Sequence, residues 1–184
     1  MNAGVANLVI SLGAMQLARK IPFDDPVVLN YVRIGYVAVQ VIVLAVFYYV
    51  SLTIKKKNDQ TVLKYVEPAS PMSQEEPKLV TTTVRDYDLS ETSKLLRSTY
   101  MGIAMMAVMH IYFHFTQPLF IQGLMGLKNI YDAKPVAIHI LGRPATGDLK
   151  RPFKAPSMFG APSGPQTDAA AIAEAEKRVG KKDE

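Results

Sequence analysis

His110 and His114 stand four residues apart and would share one helix face, a spacing that lets two imidazoles hold a metal ion. No carboxylate and no third imidazole follow near them in sequence, so a metal centre is not expected there. With Gln117, Gln122 and Gln40 they form instead a set of uncharged polar side chains inside strongly apolar sequence. Such a set can line a wet groove or hydrogen-bond neighbouring helices, and imidazoles at membrane depth are functional candidates by default. Met101, Met105 and Met109 recur at helical spacing, with Met106 beside them. Methionine is flexible and polarizable, which suits a surface that accepts varied apolar partners, although the same spacing fits ordinary packing in lipid.

Other chemistries fall away. The stretch Gly142 to Lys150 superficially resembles a phosphate-binding loop, but Asp148 stands where a lysine must follow the second glycine. The chain has no cysteine, which excludes disulfides, thiolate metal sites and cysteine nucleophiles. No Ser-His-Asp or paired-carboxylate pattern is readable in the apolar segments. The expectation is a protein with no catalytic residues and no cofactor.

The elements that must position these residues are membrane helices. Ile34 to Ile54 is an uncharged run of 21 residues between Arg33 and Lys55-Lys56-Lys57. A bilayer core about 30 Å thick takes roughly 20 such residues. A second uncharged run, Ser98 to Leu127, is 30 residues long and is interrupted by Pro118. Proline lacks an N–H and disfavours helical geometry at the residue before it, so Thr116-Gln117-Pro118 reads as a break. The helix before it would end at Phe115, and the one after it would run from Leu119 to about Ile130.

The fold class expected is an all-α membrane protein with five segments. Residues 1–20 form a short N-terminal membrane helix without the basic start or cleavage site of a signal peptide. Residues 26–54 form the full span, opened by Asp25-Pro26 and flanked by Tyr31, Tyr36, Tyr48 and Tyr49 as interfacial aromatics. Residues 55–97 are a polar cytosolic loop, with a flexible middle rich in proline and serine, a strand candidate at Val80–Tyr87, and a helix start capped by Asp88 or Ser90. Residues 98–133 are the Pro118-broken helix or hairpin. Residues 134–184 are a basic, proline-rich tail with a short strand near Val136–Leu141 and an alanine-rich helix over Thr167–Arg178.

Lys55, Lys56 and Lys57 anchor the full span on the cytosolic side, against a weaker contrary vote from Arg19, Lys20 and Arg33. The net charge of +5 is too small a surplus for direct DNA binding. It suits lipid headgroups, and leaves ribosomal RNA as a contact for the basic tail. A phosphate carrier needs placed charges at membrane depth and usually repeated spans, neither of which is present here. Lys181 and Lys182 stand third and fourth from the end, matching a dilysine retrieval signal of endoplasmic-reticulum membrane proteins and implying a cytosolic C-terminus.

Four stretches share one family likeness: Lys57 to Pro68, Thr82 to Leu89, Gly102 to Met106 with Met109-His110, and Pro144 to Pro156. Together they resemble the fungal SRP-independent targeting (SND) pathway component 3 family, also called the inorganic phosphate transport protein family. The resemblance implies a multi-pass protein of the endoplasmic-reticulum membrane that helps target and insert membrane proteins. Its implied partners are the Sec translocon, the ribosome, other SND components, nascent clients and lipid. Phosphate transport then reads as an indirect effect, since a permease must itself be inserted.

If the loop and tail are both cytosolic, Ser98–Leu127 must enter and return, an arrangement that looks like the core of YidC-type insertases. Gln40, His110, His114, Gln117 and Gln122 would wet a groove in a locally thin bilayer, and Met101, Met105, Met106 and Met109 would hold the client's apolar segment. A single crossing with a lumenal tail is the simpler topology. A non-catalytic scaffold or receptor in the translocon is the alternative function.

Overall fold

A computed structural model of the chain describes residues 3–68, 77–154 and 164–182. The proline- and serine-rich middle expected at 69–76 and the stretch 155–163 of the proline-rich tail lie outside the described residues. The chain is mostly helical. It runs α1 (Ala3–Ala18), α2 (Pro26–Lys57), β1 (Val62–Glu67), β2 (Lys78–Thr83), α3 (Val84–Ile111), α4 (Gln117–Asp132), α5 (Lys134–His139), a short 3-10 turn at Gly147–Leu149, and α6 (Ala169–Lys182).

Helix α2 has 32 residues, about 48 Å at 1.5 Å per residue. Asp25 caps it, its carboxylate accepting from the Val27 N–H at 2.8 Å, with Pro26 in the first turn. It ends at Asn58, which takes the left-handed conformation (φ 46°) and donates its N–H to the Ile54 carbonyl after three lysines that suit the helix dipole. Among the described helices, α2 is the one long and apolar enough to cross a bilayer. Helix α1 is apolar but shorter.

Helices α3 and α4 flank α2 in opposite directions. Arg33 meets His110 and Tyr48 meets Tyr100, so α3 runs antiparallel to α2. Tyr36 meets Gln122, and Gly126 lies against Val39 and Val43, so α4 runs parallel to it. The return occupies Tyr112–Thr116, earlier than the break expected at Thr116–Pro118. The reason is that proline is well suited to the first turn of a helix; Pro118 opens α4, and the reversal must precede it. His114 carries the reversal at φ 58°, and the Phe115 N–H donates to Met109 O at 3.0 Å. At the lysine end, Val43, Phe47, Val50 and Ile54 of α2 pack with Ala133 and Val136, joined by Leu89, Leu95, Leu96 and Ile130.

The polar half is not a plain loop. β1 and β2 pair antiparallel, Val62 opposite Thr83 through Glu67 opposite Lys78. β2 passes directly into α3, whose cap is Thr83: its Oγ1 accepts from the Asp86 N–H at 3.2 Å. The helix therefore starts at Val84, and the strand expected up to Tyr87 stops at Thr83. Asp88 and Ser90 are not caps, because they lie inside the helix. The tail strand expected around Val136–Leu141 is also corrected. Pro135 starts a single helical turn, and Pro135, Val136, Ala137 and Ile138 are all buried. A run buried on every side carries no period to distinguish strand from helix. The alanine-rich helix begins at Ala169 rather than Thr167 and continues to Lys182. It packs on the sheet with Ala175 buried and Lys64 paired to Glu176, while Val66 and Gln166 form a β-bridge.

Candidate functional site

Between α2, α3 and α4 lies a cavity of about 420 Å³. Helix α2 gives it Gln40, Val43 and Phe47; α3 gives Leu95, Ser98, Thr99 and Gly102; α4 gives Gln122, Met125, Gly126, Asn129 and Asp132. Two glycines make the space. A Cβ at Gly102 would lie 2.9 Å from Gln122 Nε2, so the amide occupies the place of a side chain. A Cβ at Gly126 would meet Val39 at 3.4 Å and the Gln40 amide at 3.8 Å. Gln122 Oε1 accepts from the Tyr36 hydroxyl at 3.2 Å. Gln40 is 8% exposed, yet its amide makes no hydrogen bond among the described residues and borders the cavity. Gln40 sits 15 residues from Lys55, about 22 Å along α2. The amide is not sealed in the core but opens on the cavity, where water or another polar group can bond it. Nearer the lysine end, Asn129 and Asp132 line the mouth, and Asp132 pairs with Lys128.

Of the polar residues expected in a groove, Gln40 and Gln122 meet there. The other three do not. His110 Nε2 accepts from Arg33 Nε at 2.9 Å, which makes Nδ1 the protonated nitrogen that donates to the Phe115 carbonyl at 3.0 Å. It therefore ties the hairpin tip to α2. His114 lies in the reversal and is exposed, so the helix ends before the two imidazoles can share a face. Gln117 opens α4, half-buried at the tip end, away from the cavity. No group of three metal-ligating side chains occurs among the described residues. The methionines divide: Met101 and Met105 are 68% and 69% exposed, Met109 is half-buried and Met106 is buried. Lys55, Lys56 and Lys57 are exposed at the end of α2. Lys181 and Lys182 close α6, and nothing further is described there. Ser98, Thr99, Gly102, Asn129 and Asp132 were not singled out from the sequence. Asn129 and Asp132 had a signal, the spacing of Gln122, Gly126 and Asn129 on one helix face, whereas Ser98, Thr99 and Gly102 on α3 had none.

A second polar cluster holds the tail to the root of α3. Asp88 is fully buried. Its carboxylate accepts from Arg151 Nε and from Arg151 Nη2, both at 2.6 Å, and from His139 Nε2 at 2.6 Å. Burial by itself would raise the Asp88 pKa, but the hydrogen bonds from His139 and Arg151 outweigh it and hold the carboxyl below its usual range. His139 Nδ1 is buried without a partner among the described residues. Beside this cluster, the Tyr87 hydroxyl accepts from the Phe153 N–H at 2.6 Å, and burial pushes the Tyr87 pKa up. Tyr65, Tyr87, Ile138 and Phe153 form the surrounding core. Lys134 donates to the Lys154 carbonyl at 2.7 Å and lies over the Phe153 ring, and its desolvation lowers its pKa.

The family model described as phosphate transport (Pho88) matches residues 1–182. The chain belongs to this family. Among its relatives, SRP-independent targeting protein 3 of Saccharomyces cerevisiae is 48% identical over 96% of this chain and 95% of its own length. The SRP-independent targeting protein 3 homolog of Schizosaccharomyces pombe is 39% identical over 95% of this chain and 91% of its own. No solved structure matches. The Pho88 match spans every described element, so the cavity between α2, α3 and α4 (the notch), the hairpin and the Asp88 cluster all lie within the matched region. Among the described residues, the notch of this Pho88 chain presents amides, hydroxyls and one carboxylate, groups that can hydrogen-bond a polar partner.

Proposed function

We propose that this chain is a non-enzymatic component of the endoplasmic-reticulum membrane in SRP-independent targeting, and that it inserts membrane proteins through the notch. The observation that supports the reading is that the Gln40 and Gln122 amides border one open cavity between three helices; with α2 across the bilayer they lie at hydrocarbon depth. The names of the yeast relatives point to the same pathway. In this reading α2 spans the bilayer, α3 and α4 enter and return, and the sheet and tail stay with Lys55–Lys57 on the cytosolic side.

The charge-free legs of the hairpin are short. Arg97 to His110 covers about 20 Å, and Pro118 to Lys128 about 15 Å, against a hydrocarbon core of about 30 Å. Lipid beside the hairpin must thin to match. A client's polar flank then crosses a shorter, wetter path past Gln40, Gln122, Ser98, Thr99 and Asn129, at less desolvation cost than in intact hydrocarbon. Met101 and Met105 face outward, where they can hold the client's apolar segment. His110, His114 and Gln117 serve the tip instead of the groove, Met106 serves packing, and half-buried Met109 stays a contact candidate. The Sec translocon, ribosome and other SND components are the partners in this reading, and the phosphate-transport name is an indirect effect of inserting a permease.

A scaffold or receptor is the second reading, favoured by the sheet and tail that the Asp88 cluster welds into one body. Reconstitution separates the two. Purified protein alone in liposomes should raise insertion of a model client, with site-specific crosslinks from Gln40 and Met101. Dependence on added translocon, or crosslinks to lipid alone, would refute the insertase. A glycosylation acceptor appended after Glu184 should stay unmodified; its modification would refute the hairpin topology and the dilysine signal together.

A further inference from the structure

We infer that the tip of the α3–α4 hairpin, Tyr112 to Phe115, is a lipid anchor that docks at the headgroup boundary of the leaflet opposite Lys55–Lys57. Tyr112, Phe113 and Phe115 are 76%, 53% and 51% exposed. They are nevertheless organised: Tyr112 and Phe113 pack edge to face at 5.0 Å, and Phe113 and Phe115 stack at 6.0 Å. The loop beneath them is closed by Tyr112 N–H to Val108 O, Phe115 N–H to Met109 O, and His110 Nδ1 to Phe115 O. A fixed loop therefore presents three rings outward, at the position where a soluble turn would carry polar side chains.

The depth of the tip is set by α2. His110 touches Arg33, and Tyr31, 71% exposed, lies half a turn from Arg33. Arg33 is 22 residues from Lys55, about 33 Å, which is one hydrocarbon thickness. Aromatic rings level with the first cation beyond an apolar span are the signature of a membrane–water interface. On α2 just beyond Arg33, Ile34 and Val37 are also apolar and exposed, at 66% and 59%. A four-residue turn is too narrow for a stable protein interface, which buries about 800 Å² per partner. Lipid is the occupant that fits.

The anchor rests on the membrane reading above and deepens it. Midway along α3, Tyr100 is hydrogen-bonded to Tyr48 at 2.7 Å. Tyr100 to Tyr112 is about 18 Å along the helix.

The chain has no tryptophan, so single probes are free of background. Full-length Phe113→Trp and Tyr49→Trp proteins would be reconstituted in dioleoyl phosphatidylcholine vesicles and captured by a tag after Glu184, which puts the lysine side outward because α6 packs on the sheet that follows Lys57. Both probes should be quenched by lipids brominated near the glycerol more than by lipids brominated near the chain end. External iodide should quench the Tyr49→Trp probe at least threefold more than the Phe113→Trp probe. Iodide reaching both equally, or a Phe113→Trp probe that brominated lipid does not touch, would overturn the anchor while leaving the span intact. If the Tyr49→Trp probe also escapes brominated lipid, the membrane reading itself fails.

Discussion

Replacing Gln40 by leucine should make the protein more stable and less active. The side chain is 8% exposed between Val39, Val43 and Gly126, and its amide has no partner among the described residues. Burying an unpaired amide costs about 1–3 kcal/mol by mutational measures, and the Gln40 amide, which opens on the cavity rather than being sealed, lies at the lower end. Leucine, of similar size, removes that cost and adds apolar contact with Val43 and Phe47, so the gain should be about 1–2 kcal/mol. For a chain of 184 residues this corresponds to a rise in Tm of roughly 2–8 °C. The client loses one of two deep hydrogen-bond partners, worth about 0.5–1.5 kcal/mol, which is roughly a two- to tenfold fall in insertion rate. Thermal unfolding in detergent and insertion of a model client into liposomes would be measured on the same preparation. A lower Tm would mean that the amide is paired after all, and unchanged insertion would mean that clients do not use the notch.

Two further outcomes follow from distances already given. Asp88→Asn removes the anion between Arg151 and His139, and breaking a buried pair costs about 3–5 kcal/mol, with the partly open Arg151 side favouring the low end. Because the folded-state pKa of Asp88 lies below its ordinary 3.8, its contribution is complete above that value and is lost as pH falls through and beneath it; unfolding of the native protein should steepen below about pH 4, and that of Asp88→Asn should not. Gly102→Ala gains about 1 kcal/mol in helix propensity but places a methyl 2.9 Å from Gln122 Nε2, so chemical denaturation should be nearly unchanged while the displaced amide narrows the notch and client insertion falls.

What could be read from the sequence was set by how local its cause is. The span of α2 follows from composition, and its start follows from Asp25-Pro26, where one carboxylate and one ring decide the geometry. Pro118 announced a break, but a proline constrains the turn before it, and only the chain reversal placed that turn at Tyr112–Thr116. The imidazole pair failed for the same reason: His114 lies beyond the helix that His110 belongs to. Val136 to Ile138 misled because complete burial erases the alternation that marks a strand. Gln40 and Gln122 stood out as polar residues in apolar sequence, whereas Gly102 and Gly126, which make the space between them, matter only once three helices are assembled. Asp88 was legible as a polar residue at a helix root but not as the partner of an arginine 63 residues away.

The junction between β2 and α3 has no linker. Thr83 ends the strand and caps the helix, and α3 continues for 28 residues, about 42 Å, without interruption. Sheet and hairpin tip are therefore the two ends of one rod. Its bearing is near Thr92, fully buried, with the hydroxyl bonded to the Asp88 carbonyl at 2.8 Å. Tyr112 lies 20 residues beyond, about 30 Å, and the Tyr48–Tyr100 and Arg33–His110 bonds tie that length to α2. A load applied to the sheet is therefore delivered along α3 itself, to the wall that carries Ser98, Thr99 and Gly102.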